Sequence, residues 1–484
     1  MAPLAAPVPR LYPYIIGGER VAPEFPAPIR NPYNGDEVGT GGDASPLEVE
    51  RVLAAADGAR DAMAALPAWR RAQALRELEG ALRQNQDELA LLMAAEAAKP
   101  IRDARGEVAR GLLTVATAAE EALRIEGEAV PLDVAAAGEG RSYVSRRFPI
   151  GVIAGVTPFN FPLNLVLHKL APAIASGNPI IIKASPRTPL TALRLGELAL
   201  GLELPPGAVN VISGGASAVE RLTTDGRVAM LSFTGSAAVG WKLRTLAGRK
   251  RVTLELGGNA ANLVHGDYGA AADLDYAADR LTAGAFGYAG QSCISVQRVL
   301  AHRSLYAGLR ERLIARAGAL RLGDPLDATT DVGPMITDAA AQRAATWIRD
   351  ACDAGATLAC GGQRDGGFVS PAILENVPHA AAVYKEEAFA PVLLLEPYDD
   401  LDAALRQANA SRYGLQAAIF THDLGVSLRA FDSLEVGAVL VNEATSWRLD
   451  PMPYGGVKES GCGREGLRAA IREMTDARLM IVRP

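Results

Sequence analysis

Three side chains stand in local settings that suit them for chemistry. Cys293 ends the small, polar run Tyr288-Ala289-Gly290-Gln291-Ser292-Cys293. A thiolate is a strong nucleophile, and Gly290 beside it gives the backbone freedom that a thiol needs to meet both a substrate and a backbone donor. The other cysteines, Cys352, Cys360 and Cys462, lie near Gly-Ala stretches or a glycine-rich turn. They read as structural, because a lone cysteine is more often a small buried hydrophobe than a nucleophile. Glu255 interrupts the apolar run Val252-Thr253-Leu254-Glu255-Leu256. Such a carboxylate must find partners or stay partly protonated, and it can then act as a general base. Its alternation with Thr253 also fits an edge residue facing water, which the pattern alone favours. Asn160 is clamped by Pro158, Phe159, Phe161 and Pro162. A rigid amide there suits an oxyanion hole, although a helix cap is what the local sequence favours.

A fourth feature is the loop after Phe233, Thr234-Gly235-Ser236-Ala237, where a strand turns through glycine into a helix. The amides of a helix start form an anion site suited to a diphosphate, with an ordinary glycine turn as the alternative. It is not a P-loop, since Trp241 stands where lysine is required. A G-x-G-x-x-G spacing occurs at Gly461, Gly463 and Gly466, but no apolar strand leads into it. The five histidines, His168, His265, His302, His379 and His422, lack metal-ligand spacing, and no H-E-x-x-H, C-x-x-C or G-x-S-x-G is present. No metal is expected.

The elements that must position these residues belong to a globular chain. Its 484 residues suggest two to four domains, and 49% apolar content rules out extensive disorder. A net charge of −6 argues against nucleic acid or an anionic membrane as partner. Four cysteines make no disulfide framework, which points to a reducing, cytoplasmic setting. The start, Met1 to Pro7, lacks the features of a secretory signal, and the most apolar stretch, Leu163 to Ile182, is interrupted by His168, Lys169, Pro172, Gly177 and Pro179. From Pro46 to about Arg124 the chain reads as helices, with Leu75, Leu78 and Leu82 on one face. From Gly151 onward apolar strands alternate with helical stretches, which implies a parallel sheet covered on both faces. Its ligand loops should follow Val156, Ile182 and Phe233, at the carboxyl ends of the strands. A second α/β stretch starts near Gly258. Tyr143-Val144-Ser145 and the terminal run Leu479 to Val482 read as exposed strands that need a pairing partner, such as another subunit.

Taken in order, Pro158-Phe159-Asn160-Phe161-Pro162, Phe233-Thr234-Gly235-Ser236, Leu254-Glu255-Leu256-Gly257-Gly258, Gly290-Gln291-Ser292-Cys293, Glu387-Ala388-Phe389-Ala390-Pro391 and Pro453-Tyr454-Gly455-Gly456-Val457-Lys458 resemble the aldehyde dehydrogenase superfamily. The resemblance spans nearly the whole chain, from Asn31 to the terminal strand. It implies a Rossmann-type cofactor domain (1–124 and 148–257), an α/β catalytic domain (258–470) and a small β oligomerisation element (125–147 and 471–484). It further implies an NAD- or NADP-dependent oxidation of an aldehyde to its acid. Cys293 would be the nucleophile, Asn160 and the Cys293 backbone N–H the oxyanion donors, and Glu255 the base that activates water. For the cofactor, Lys183 and Glu387 match ribose contacts, Phe389 a nicotinamide contact and Ser236 a diphosphate contact. Thr157, Pro158, Phe159, Ser185, Gly215, Phe233, Gly235 and Leu256 complete the implied cofactor set. Pro186 stands where many NAD-preferring members carry a glutamate, so NADP should be admitted, with Ser185 or Arg187 near its phosphate.

For the substrate, positions 161, 164, 165 and 168 share a helical spacing, which would put Phe161, Asn164, Leu165 and His168 on a polar tunnel wall. Arg448, in a loop resembling the lactaldehyde and semialdehyde branch, would grip an anionic group together with Arg110. Alternatively, Arg448 pairs with Asp450 or Glu443 and only stiffens the loop. A CoA-acylating enzyme is a competing reading that Glu255 argues against. A non-catalytic dinucleotide-binding member is another, opposed by the intact set of Cys293, Asn160 and Glu255. The resemblance also implies a homodimer or a homotetramer.

Overall fold

Five helices lie between Pro46 and Glu121; Pro46–Gly58 packs with Ala216–Thr224 on one face of the first sheet, and Ala68–Gln84, Gln86–Ala97 and Ile101–Glu121 pack with Asn164–Ser176 and Leu190–Ala199 on the other. The first has a complete local start signal. The Ser45 hydroxyl accepts from the Glu48 amide, the Glu48 carboxylate accepts from the Ser45 amide, and Pro46 follows at a position that needs no N–H. Pro67 and Pro100 each stand just before a helix, Ala68–Gln84 and Ile101–Glu121. Leu75, Leu78 and Leu82 are buried, as their spacing predicts, while Arg76 and Arg83 are exposed. Burying each leucine contributes roughly 1.5–3 kcal/mol. The computed structural model describes residues 7–483. Residues 1–6, which carry most of the signal-free start read above, and Pro484 lie outside the described residues.

The first sheet has eight strands. Five are parallel and central, in the order Val209–Ser213, Ile180–Ala184, Val152–Val156, Val228–Thr234, Arg251–Glu255. The Tyr14–Ile16 and Glu19–Val21 hairpin closes one edge, and Gly461–Cys462, antiparallel to Arg251–Glu255, closes the other. Helix Leu467–Glu473 follows that last strand, and Leu467, Ile471 and Met474 enter the core of the first sheet. The stretch 461–470, placed with the second unit by the sequence reading, thus packs on the first.

The second sheet has seven strands in the order Thr357–Cys360, Ala372–Glu375, Val392–Tyr398, Val296–His302, Ala260–Val264, Gln416–Phe420, Ala438–Val441. All its pairs are parallel except that of Thr357–Cys360. Only residues 256–259 separate the end of Arg251–Glu255 from the start of Ala260–Val264. The chain therefore passes from a carboxyl end of the first sheet directly to an amino end of the second.

The terminal strand Thr475–Val482 pairs antiparallel along its whole length with Ser142–Pro149 of the same chain, and Ala129–Pro131 adds a third strand. Leu479, Met480 and Ile481 are 56–63% exposed on this small sheet. Among the described residues no helix is long and apolar enough to cross a membrane.

Candidate active site

Where the two sheets meet end to end lies a cavity of about 340 Å³. Carboxyl-end loops of the first sheet supply Pro158, Phe159, Asn160, Gly235, Ser236, Glu255 and Leu256 to its wall. Segments that precede strands of the second sheet supply Cys293, Glu387 and Phe389. The rule that ligands gather at carboxyl ends located the first group and not the second. Phe161, Asn164, Arg110 and Arg448 also line the cavity.

The Cys293 loop is built for close approach. Gly290 has φ +68°, and a Cβ there would meet the Ala390 carbonyl at 2.1 Å. A Cβ on Gly258 would meet the Cys293 carbonyl oxygen at 2.4 Å, so only glycine lets these segments touch. Burial pushes the Cys293 thiol up to about 11, opposed by its contact with the Tyr454 hydroxyl 3.3 Å away.

Glu255 is 3% exposed, which overturns the edge reading. Strand neighbours on both sides enclose it, with Thr234 opposite on one and Gly461 on the other. Among the described residues both carboxyl oxygens lack hydrogen-bond partners. Burial, and then the charge of Glu465, raise its proton affinity well above the usual carboxylate range. Glu465 itself stays below that range although burial opposes it, because the Lys169 ammonium lies 2.7 Å away. Asn160 is no helix cap. Its Nδ2 donates to the Gln291 carbonyl at 3.0 Å, tying the two sides of the cavity together, and its Oδ1 is buried without a partner. The following helix, Asn164–Ser176, is capped instead by Glu107, whose Oε1 accepts from the Leu163 and Asn164 amides.

Most residues expected to hold the cofactor run along the carboxyl edge of the first sheet, and Glu387 and Phe389 face them from before Val392–Tyr398 of the second. Glu387 accepts from the Gly258 amide at 3.0 Å, and burial raises its carboxyl to about 7. Phe389, at φ +46°, meets Phe159 edge to face at 5.8 Å. Thr157, Lys183, Ser185, Gly215 and Phe233 lie outside the cavity wall. They sit at the ends of adjoining strands or just beyond them, leading away from the cavity. Lys183 donates only to the Gly214 carbonyl among the described residues, and burial lowers its ammonium to about 8. Ser236 precedes helix Ala237–Leu246, and no side chain caps that first turn. Its open amides, the buried Lys183 with spare donors and Glu387 Oε2 without a partner suit a dinucleotide's diphosphate and ribose hydroxyls. Pro186 and Arg187 are exposed, and the Ser185 hydroxyl accepts from the Arg187 amide at 3.2 Å.

The substrate wall differs from expectation. His168 does not face the cavity. Helix Asn164–Ser176 runs away from it, so one turn on, about 5.4 Å deeper, the same face meets Asp450. His168 Nε2 lies 2.8 Å from Asp450 Oδ1, and burial and then Arg448 lower the ring's proton affinity, opposed by that contact. Asn164 lines the wall, but its Nδ2 donates to Asp450 Oδ1 and its Oδ1 accepts from Thr114. Arg110 grips Asp450 with two N–H bonds, at 2.7 and 3.0 Å. Burial would raise the Asp450 carboxyl, yet His168 and Arg110 hold it well below the usual range. Glu443 is taken by Arg280, so it is not the partner of Arg448. Arg448 lies 4.0 Å from Asp450 and 3.6 Å from Glu465, with its Nε buried and unpartnered.

Tyr454, Arg343 and Ser446 also line the cavity and escaped sequence reasoning. Tyr454 stood inside a recognised segment, where an aromatic with a polar tip is a signal. Arg343, on helix Asp338–Asp353, had none.

A model described as the aldehyde dehydrogenase family matches residues 22–480. The chain is 43% identical over 415 residues to a 3-sulfolactaldehyde dehydrogenase of Priestia megaterium, covering 86% of each. A crystal structure of aldehyde dehydrogenase 21 from Physcomitrella patens in complex with the reaction product succinate superposes with a TM-score of 0.96 at 40% identity, over 98% of this chain and 99% of that one. The glyceraldehyde-3-phosphate dehydrogenase GapN of Methanocaldococcus jannaschii complexed with NADP gives 0.90 at 36% identity, over 94% and 99%.

Proposed function

Since the chain belongs to the aldehyde dehydrogenase family, and is thereby an NAD(P)-dependent enzyme oxidising an aldehyde to its acid, we propose that Cys293, Asn160 and Glu255 carry the reaction and that the substrate is a short aldehyde with an anionic or hydroxylated far end. The observation that carries this reading is the convergence of these three side chains, from distant stretches of sequence, on one cavity. The Cys293 thiolate attacks the aldehyde carbon and forms a tetrahedral thiohemiacetal. Asn160 Nδ2 and the Cys293 backbone N–H donate to its oxyanion. A nicotinamide cofactor held by Lys183, Ser236, Glu387 and Phe389 would supply the hydride acceptor. Loss of hydride from the tetrahedral carbon leaves a thioester on Cys293. Glu255 then takes a proton from water, which displaces the thiolate and releases the acid. Water as acyl acceptor needs such a base, whereas CoA does not.

The charge balance at the far end supports an anionic substrate. Here three cations (Arg110, Arg448 and Lys169) face Asp450 and Glu465, both held below the usual carboxylate range. The unpartnered Nε of Arg448 adds a donor to this surplus. His168 is not part of the contact surface. Succinate, bound in one structural neighbour, and 3-sulfolactaldehyde, for which a relative is named, both carry such an anionic group. A charge-assisted contact contributes about 1.5–3 kcal/mol. Arg448→Leu should therefore lower kcat/KM for succinic semialdehyde about ten- to hundredfold and leave propanal within about threefold. Equal losses on both would make Arg448 a stiffener of its loop. A wild-type preference for hexanal over lactaldehyde, succinic semialdehyde and glyceraldehyde 3-phosphate would defeat the anionic reading. The same panel run with both cofactors tests the proposed dual or NADP-leaning use, which rests on Pro186 and the exposed Arg187. A strong preference for NAD would overturn it.

The exposed apolar side chains of Leu479 and Ile481 on one face of the small sheet, and Met480 on the other, support a homodimer or a tetramer built of dimers. Removing residues 479–484 should give insoluble or monomeric, inactive protein. A stable, active monomer by light scattering would refute the assembly. The four cysteines are all free, which supports a reducing, cytoplasmic setting.

A further inference from the structure

The Tyr454 hydroxyl has one hydrogen-bond contact among the described residues, the Cys293 sulfur at 3.3 Å. The ring is 4% exposed and held from three directions. Its backbone is bridged to Glu465 in both directions, at 3.0 and 2.7 Å. The Arg448 guanidinium lies 3.7 Å above its centroid, and Ile294 and Leu415 pack with it beside Cys293. A rigid donor is thus aimed at a sulfur that sits in a largely apolar surround. No cationic nitrogen is in hydrogen-bond contact with that sulfur among the described residues.

We propose that Tyr454 is a positioning residue for the nucleophile, donating its O–H to the Cys293 thiolate and so setting both its direction and how readily it forms. The proposal rests on the reading of Cys293 as nucleophile. Burial raises the thiol and holds the tyrosine's own proton firmly, so the phenol remains the donor and the sulfur the acceptor. A hydrogen bond to a charged acceptor is among the stronger kinds, and losing it would be felt in the ionised form alone.

Tyr454→Phe keeps the ring, the Arg448 stack and the backbone bridge. The test is the rate of Cys293 alkylation by iodoacetamide in the cofactor-free enzyme, followed from pH 7 to 10 with the labelled peptide identified by mass spectrometry. In wild type the rate should rise about tenfold per pH unit, because the thiolate fraction does so below the thiol's pKa. In Tyr454→Phe it should be about tenfold lower at each pH, with kcat reduced and KM for aldehyde and NADP within twofold. If the label lies on Cys293 and the variant keeps the wild-type rates, Tyr454 has no such role and the proposal falls alone. If the label falls on another cysteine, or alkylated Cys293 still supports turnover, the nucleophile reading itself fails.

Discussion

Cys293→Ala should abolish aldehyde-dependent NAD(P)H formation, lowering kcat about 10³-fold or more while NAD(P) affinity, read by fluorescence titration, stays within about twofold. The sulfur faces a cavity shared with Asn160 and Glu255, and no other cysteine lines it. The remaining three are half-buried and packed at the edges of cores, with Cys462 3.6 Å from the Val252 carbonyl. Cys352→Ala, Cys360→Ala and Cys462→Ala should each keep kcat within about twofold. Unchanged turnover in Cys293→Ala would remove covalent catalysis at this residue and revive the view of the site as a dinucleotide-binding pocket without chemistry of its own.

Glu255→Gln should separate the two halves of the reaction. Thioester formation does not need Glu255, so the first turnover should release NADPH in a burst equal to the number of active sites. Hydrolysis should then slow by about 10²–10⁴, the usual contribution of a positioned general base. Intact mass should show the acyl group held on Cys293. Stability should hold or rise, because the amide replaces a buried carboxyl whose oxygens have no partners and whose ionisation its surroundings oppose. An acylated variant that discharges as fast as wild type would exclude Glu255 as the base. Acyl-CoA produced by wild type when CoA is added would instead favour the acylating reading.

Much of the site is legible in the chain before folding. The settings of Cys293 and Gly290, the turn at Gly235 and Ser236 and the clamp around Asn160 are local features, expressed within a few residues. The strands Val152–Val156, Ile180–Ala184 and Val209–Ser213 are apolar runs that announce themselves by composition, and the leucine spacing of Ala68–Gln84 predicts its buried face.

What escaped depends on partners that sequence cannot place. The Thr253 and Glu255 alternation reads as an edge strand, and it is Gly461–Cys462, arriving from near the other end of the chain, that covers Glu255. Asn160 reads as a cap until Gln291 is brought beside it and Glu107 takes over the capping. His168 has the right helical phase for a tunnel wall and the wrong depth, because phase is a property of the helix whereas depth is set by where Asp450 enters. The amino ends of the second sheet join the site because 256–259 turns the chain straight from one sheet into the other. Which segments become strands, helices and glycine turns is written in the chain, since those depend on backbone preference and on the period of apolar residues. Which polar groups lose water and which charges face one another emerges on folding, because burial and Coulomb interaction depend on distance in space and not on distance along the chain.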